Sequence, residues 1–368
     1  MAELFEPVTI GTLTIRNRMM RSATAERVAN PQDGTPSAKQ QKMYVDLAEG
    51  GIGLIVTGHA YVERQGKGHP EMASMATDAV IPAWRDVITP AQQAGARIIA
   101  QINHCGASCD PKVTLHPLSP AGVATNPAVQ PQAMTADELD RIIRAFGQAA
   151  RRVQEAGFDG VQIHGAHGYL LNQFMTPLTY PDPCFLLDGS ESDDVERRSR
   201  ILKAVTGEIR QQVGDDFPVW IKLGVAGRED SGLDIRQGAR FTAACFHYGV
   251  DCVELSHGLG TPSTIDERGP VAYLPFAEAV RPVVGEDVPL ALVHSFSTVA
   301  QMQSVLDRGL VQMVSMCRPL IAEPDLPAKL RADTGYAHAC TRCGQCWPKE
   351  RGMGVACYNQ AVQRKLGE

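Results

Sequence analysis

Apolar positions along the chain fall into two alternating patterns. Short, nearly continuous apolar runs occur at 19–23, 53–58, 97–103, 160–165, 219–224, 252–257, 289–295 and 311–317, with longer amphipathic stretches between them. Runs of this kind predict parallel strands buried on both faces. The clearest helical stripe spans 136–156, where Leu139, Ile142, Ile143, Phe146, Ala149, Ala150 and Val153 share one face. Thr135 and Glu138 have capping-box spacing at its start, and Gly157 is placed to end it in the left-handed conformation. A second helix is expected between Ser297 and Gly309. Eight strands alternating with helices predict an α/β fold, a (β/α)8 TIM barrel. No Gly-x-Gly-x-x-Gly turn follows the first strand, which argues against a doubly wound sheet.

Residues 5–15 alternate apolar and polar around Gly11 and predict a short N-terminal hairpin, a half-exposed ribbon plugging the barrel floor. Residues 181–194 read as a long excursion. The organisation expected is a barrel over 1–335 and a short cysteine-rich extension over 336–368.

Composition narrows the function classes. With 368 residues, 44% of them hydrophobic and 21% charged, the chain has the make-up of an ordinary globular protein. A net charge of -6 and the absence of a basic run exclude a nucleic-acid surface. The first residues have neither a basic start nor a long apolar core, so no signal peptide is expected. No stretch approaches the ~18 apolar residues of a membrane span. A cytoplasmic address is expected.

The chemistry concentrates at predicted strand ends. After the fourth strand, His164, His167 and Tyr169 follow one another within six residues. Two imidazole N–H groups can meet one developing negative charge while the phenol supplies a proton nearby. A metal-binding loop is the competing reading of two histidines three apart. Gln101 and His104 stand at the end of the third strand, Lys222 at the fifth and Arg318 after the eighth. In (β/α)8 barrels that edge carries the chemistry.

Over residues 3–335 the chain resembles the old yellow enzyme group of flavin-dependent oxidoreductases. The resemblance rests on 17–24 (NRMMRSAT), 51–58 (GIGLIVTG), 101–104 (QINH), 156–170 (AGFDGVQIHGAHGYL) with 172–174 (NQF), and 318–326 (RPLIAEPDL). It implies FMN across the barrel mouth. Gln101 would bond the pyrimidine edge, Lys222 would face the N1/C2 carbonyl, and Ala23, Thr24, Ala25 and Gly58 would lie along the ring. Arg318 would pair with the phosphate. His294 and Ser295 stand where the family carries a glycine pair, and Cys317 precedes Arg318 in place of a glycine, so these too fall at the phosphate. The implied reaction takes hydride from NAD(P)H to flavin and on to the β-carbon of an α,β-unsaturated carbonyl or enoyl thioester. His164 and His167 would polarise the carbonyl, and Tyr169 would protonate the α-carbon. The usual Arg-x-Asp-x-Tyr-Gly-Gly-Ser stretch is replaced by 181–190, so substrate identity does not carry over.

Four of the ten cysteines, Cys340, Cys343, Cys346 and Cys357, form C-x2-C-x2-C-x10-C near the end of the chain. Thiolates so spaced suit an iron–sulfur cluster, a structural zinc or no ligand at all. The resemblance favours a [4Fe-4S] cluster, as in relatives similar to dienoyl-CoA reductase and trimethylamine dehydrogenase, and with it an electron-transfer protein or subunit. Three readings follow: an NAD(P)H-driven ene-reductase, a dehydrogenase or demethylase passing electrons from substrate to a partner, and a flavin-free, metal-bound assembly subunit. A small-molecule substrate with a conjugated carbonyl and a homo-oligomeric state are expected.

Overall fold

A computed structural model describes residues 3–183, 193–294, 296–347, 350 and 352–367. Eight parallel strands form the barrel: β1 Met19–Arg21, β2 Leu54–Val56, β3 Arg97–Asn103, β4 Gly160–Gly165, β5 Val219–Ala226, β6 Cys252–His257, β7 Leu290–Val293 and β8 Met313–Met316. Each pairs with the next, and β8 pairs with β1 through Val314 and Met19, which closes the sheet. The third, fourth and sixth strands have the expected bounds. The first stops two residues early, and the chain from Ser22 onward leaves the ladder as irregular structure. The barrel expectation is met.

Helices α1 Ala38–Glu49, α2 Ile81–Gln93, α3 Ala136–Ala156, α4 Asp194–Val213, α5 Ile235–His247, α6 Leu274–Val284, α7 Val299–Asp307 and α8 Leu326–Ala332 form the outer layer. The ends of α3 follow from its sequence. The Thr135 hydroxyl accepts from the Glu138 N–H, the Glu138 carboxylate accepts from the Thr135 N–H, and Gly157 takes φ 91°. Helix α7 begins after Thr298, whose hydroxyl accepts from the Gln301 N–H. None of the described helices is long and apolar enough to cross a membrane.

The N-terminal hairpin pairs Val8–Ile10 with Leu13–Ile15, with alternate residues buried. Val8, Ile10, Leu13 and Ile15 pack against Met20, Leu54, Val56, Ile99, Trp220, Cys252, Ala291 and Met313. That layer fills one end of the barrel, as the alternation predicts. Most of the 181–194 excursion lies outside the described residues.

The extension packs back on the barrel. The Val355 N–H donates to the Glu26 carbonyl at 2.9 Å, Lys39 Nζ to the Gly352 carbonyl at 2.9 Å, and the Trp347 indole N–H to the Ala25 carbonyl at 3.3 Å. Its last helix, Gln360–Leu366, seats Val362 against Ala322 and Ala339.

Candidate active site

At the carboxyl ends of the strands lies a cavity of ≈ 380 Å³. It gathers most of the residues singled out in the sequence: Ala23, Thr24 and Ala25 after β1, Gln101 from β3, His164, His167 and Tyr169 from the end of β4, Lys222 from β5, and His294, Cys317 and Arg318 after β7 and β8. Gly344 and Trp347 of the extension also line it. Gly58 is elsewhere. Its N–H donates to Glu26 Oε1 at 2.8 Å, and a Cβ there would fall 1.9 Å from Glu26 Oε2, so close packing accounts for the glycine. His104 also turns away, taking the Gly106 N–H on Nδ1 at 3.1 Å with Nε2 3.3 Å from Glu63. Ser295 lies outside the described residues. A larger neighbouring cavity of ≈ 680 Å³, lined by Arg27, His69 and Cys109, contains none of the predicted site residues.

On one side the cavity presents a donor cluster. The rings of His164 and His167 lie 5.0 Å apart and nearly perpendicular, and Tyr169 stands edge-on to His164 at 4.8 Å. The Ala166 N–H donates to His164 Nδ1 at 3.3 Å, which puts the ring proton on Nε2. His167 Nε2 lies 2.9 Å from the Ser256 hydroxyl. A hydroxyl donating there leaves the His167 proton on Nδ1. Burial, reinforced by neighbouring imidazoles and Lys222, holds both histidines well below their usual range, so both are neutral donors at pH 7. Burial raises the Tyr169 phenol, which keeps its proton.

The bottom of the cavity carries a buried polar network that the sequence reading missed. Lys222 Nζ donates to Glu254 Oε1 at 2.9 Å and to Ser22 Oγ at 2.6 Å. Glu254 Oε1 also accepts from Ser22 at 2.9 Å and Ser315 at 2.7 Å, and Oε2 accepts from Gln162 Nε2 at 2.9 Å. Gln162 Oε1 in turn accepts from Gln101 Nε2 at 2.7 Å. Burial opposes ionisation of Glu254, but Lys222 and the hydrogen-bond donors outweigh it and hold its carboxyl below the usual range. The available signal was a charged residue inside an otherwise apolar strand, aligned with Lys222 across the β5–β6 ladder.

His59 was missed as well. Its ring lies 5.1 Å from Tyr169, with Nδ1 2.8 Å from Asn103 Nδ2, and burial brings its pKa down to about 4.

At the opposite end, Arg318 Nη2 donates to His294 Nε2 at 2.8 Å, and His294 stacks on Tyr273 at 4.5 Å. Burial and the Arg318 charge bring His294 down to about 4, so it accepts this bond as a neutral ring. Its φ of 99° belongs to the region that favours glycine. This side chain occupies a backbone turn where the resembling family carries glycine.

The extension departs from its expectation. Among the described residues no group of three His, Cys, Asp or Glu is arranged to hold a metal ion. Burial, with the neighbouring thiols, pushes Cys346 up to about 12, and the Asn359 amide donates to Cys343 Sγ at 3.2 Å. The four thiols do not form a ligand cage in this arrangement.

Comparison with known proteins agrees with the geometry. The chain is 30% identical over 353 residues to an NADH oxidase of Thermoanaerobacter brockii, covering 93% of this chain and 52% of the relative. It is 27% identical over 333 residues to an NADPH dehydrogenase of Geobacillus sp. (strain WCH70), covering 90% and 94%. A solved 2-naphthoyl-CoA reductase complex superposes with a TM-score of 0.82 at 22% identity, over 92% of this chain and 55% of that one, a likeness of fold. The chain thus spans about half the length of the larger proteins it matches. The NADH:flavin oxidoreductase / NADH oxidase family matches residues 3–335, the whole barrel with its hairpin, and the chain belongs to that family.

Proposed function

We propose that this chain is an FMN-dependent NAD(P)H oxidoreductase that reduces the activated double bond of an α,β-unsaturated carbonyl compound, enoyl thioesters included. The observation that carries the reading is one cavity lined by both the His164–His167–Tyr169 cluster and the Lys222–Gln101 pair. FMN, when bound, would supply the two-electron hydride chemistry that links NAD(P)H to substrate.

The residues present fit such a group. An ammonium has three N–H donors, and Lys222 commits two of them to Ser22 and Glu254, leaving one for the cavity. Gln101 spends an amide proton on Gln162 and retains its carbonyl. The irregular chain at 23–25 gives backbone along one wall, and the Arg318 guanidinium at the far end suits a phosphate.

Against a substrate carbonyl, His164 Nε2–H and His167 Nδ1–H act as donors to the oxygen on which charge develops. Neutral imidazoles serve here because a donor, not a cation, is required. Tyr169, protonated at physiological pH, delivers its proton to the α-carbon. Trp347 of the extension lines the same cavity.

The test is spectroscopic. Purified chain reconstituted with FMN should retain a flavin absorption band. NADH or NADPH should bleach it anaerobically, and a simple conjugated enone should restore it. Bleaching by substrate without nucleotide would support outward electron flow instead, and no retained flavin would overturn both.

A further inference from the structure

We propose that Glu254, which does not line the cavity, is a positioning residue that sets both flavin-facing groups at its base. It would fix the amide orientation of Gln101 and offset the charge of Lys222, holding the reduction potential of bound FMN below what an unpaired lysine would give. This rests on the reading that FMN binds here.

Geometry fixes the first effect. Glu254 is fully buried in the middle of β6, directly across the ladder from Lys222. An ionised carboxylate can only accept, so Gln162 must turn its NH2 toward Oε2. That turns the Gln162 carbonyl toward Gln101, and Gln101 must answer with its own NH2. The atom of Gln101 left for the cavity is therefore its carbonyl oxygen, the acceptor an imide N–H requires. One carboxylate thus dictates the direction of two amides: flipping Gln162 would set NH2 against NH2 at Gln101 and oxygen against oxygen at Glu254, and flipping Gln101 would set carbonyl against carbonyl.

Charge gives the second effect. The Lys222 ammonium has a carboxylate at 2.9 Å, and the pair lies at 2% and 0% side-chain exposure. Negative charge arising on a reduced flavin beside Lys222 would meet an ion pair rather than a lone cation. In a medium screened far less than water, that difference is worth appreciable energy. Ser22 and Ser315 share the carboxylate oxygen that Lys222 uses, so they moderate its pull on the ammonium.

The experiment compares FMN-loaded wild type with Glu254→Gln, Glu254→Asp and Ser315→Ala. It measures the flavin midpoint potential and the dissociation constant for sulfite, which adds to oxidised flavin and places negative charge near Lys222. Glu254→Gln is expected to raise the potential and tighten sulfite at least about tenfold, equivalent to ~30 mV for a two-electron couple. Glu254→Asp, keeping the charge, should return toward wild type. Ser315→Ala, which strips one donor from the carboxylate, should shift the potential the other way, and it carries the test if Glu254→Gln fails to fold or to hold flavin. Wild type without FMN would overturn the functional reading and this inference together. Wild type with FMN, and a potential unmoved by Glu254→Gln or by Ser315→Ala where that variant stands in, overturns this inference alone.

Discussion

The floor and the mouth of the barrel solve burial in opposite ways. At the floor, the hairpin residues Val8, Ile10, Leu13 and Ile15 close over Trp220, Met313 and their neighbours in an entirely apolar layer. At the mouth, Lys222 and Glu254 are as deeply buried and carry opposite charges. Strand β5 changes from one regime to the other between Trp220 and Lys222. An apolar layer loses stability in proportion to the volume removed. A charged layer loses little when both partners go together and much when one goes alone. The floor is therefore governed chiefly by the volume that fills it, and the mouth chiefly by whether each charge keeps its partner.

The largest effect should separate chemistry from folding altogether. Tyr169→Phe keeps the ring and removes the proton, so turnover with alkene should fall by ~10²–10⁴-fold while flavin reduction by NAD(P)H is unchanged. Stopped-flow measurement of the two half-reactions checks this, and equal slowing of both would remove the phenol's assigned role.

Next come matched variants of the two layers. Trp220→Ala and Lys222→Met should each cost ~3–5 kcal/mol in denaturant melts, the first by leaving a cavity and the second by leaving the Glu254 carboxylate unpaired. Adding Glu254→Leu to Lys222→Met should recover most of that stability but not flavin binding. A double variant as unstable as the single would erase the contrast between the layers.

Acid should act on the mouth before the floor. His59 has a folded pKa of about 4 against ~6.5 unfolded, so falling pH protonates the unfolded chain first. Its contribution is complete above pH ~6.5 and is lost progressively toward pH 4, on the order of 3 kcal/mol in all. His164 and His167 are displaced the same way. The Tm should fall between pH 7 and pH 5, and a flat profile would contradict neutral burial of these rings. The smallest effect is that of His164→Ala, which should weaken binding of a carbonyl ligand that cannot accept hydride by about tenfold, read by titration.

How much of this was legible in the sequence depended on whether the signal was local. The strands, the capping box at Thr135 and the hairpin around Gly11 are encoded in neighbouring residues, and each is present, several of the strands with bounds shifted by one or two residues. The 160–169 motif was legible because three chemical groups follow one strand. Glu254 and Gln162 were not, because a buried polar residue in an apolar strand acquires meaning only when register brings it beside Lys222 or Gln101. Gly58 shows how ambiguous a glycine is, because backbone close to a ligand and backbone close to a glutamate leave the same residue in the sequence. The cysteine spacing suited a cluster, a zinc or no ligand alike, and among the described residues no metal-holding group is arranged.

The seam where the barrel closes has one more consequence. Thr24 and Cys317 meet across it, hydroxyl to thiol at 3.0 Å, although 293 residues separate them, and both line the cavity. No partial fold that lacks either end of the sheet possesses this pocket. A cofactor seated across the seam would bind only the finished barrel, so ligand concentration should act as a clamp on the slowest, most non-local contact of folding.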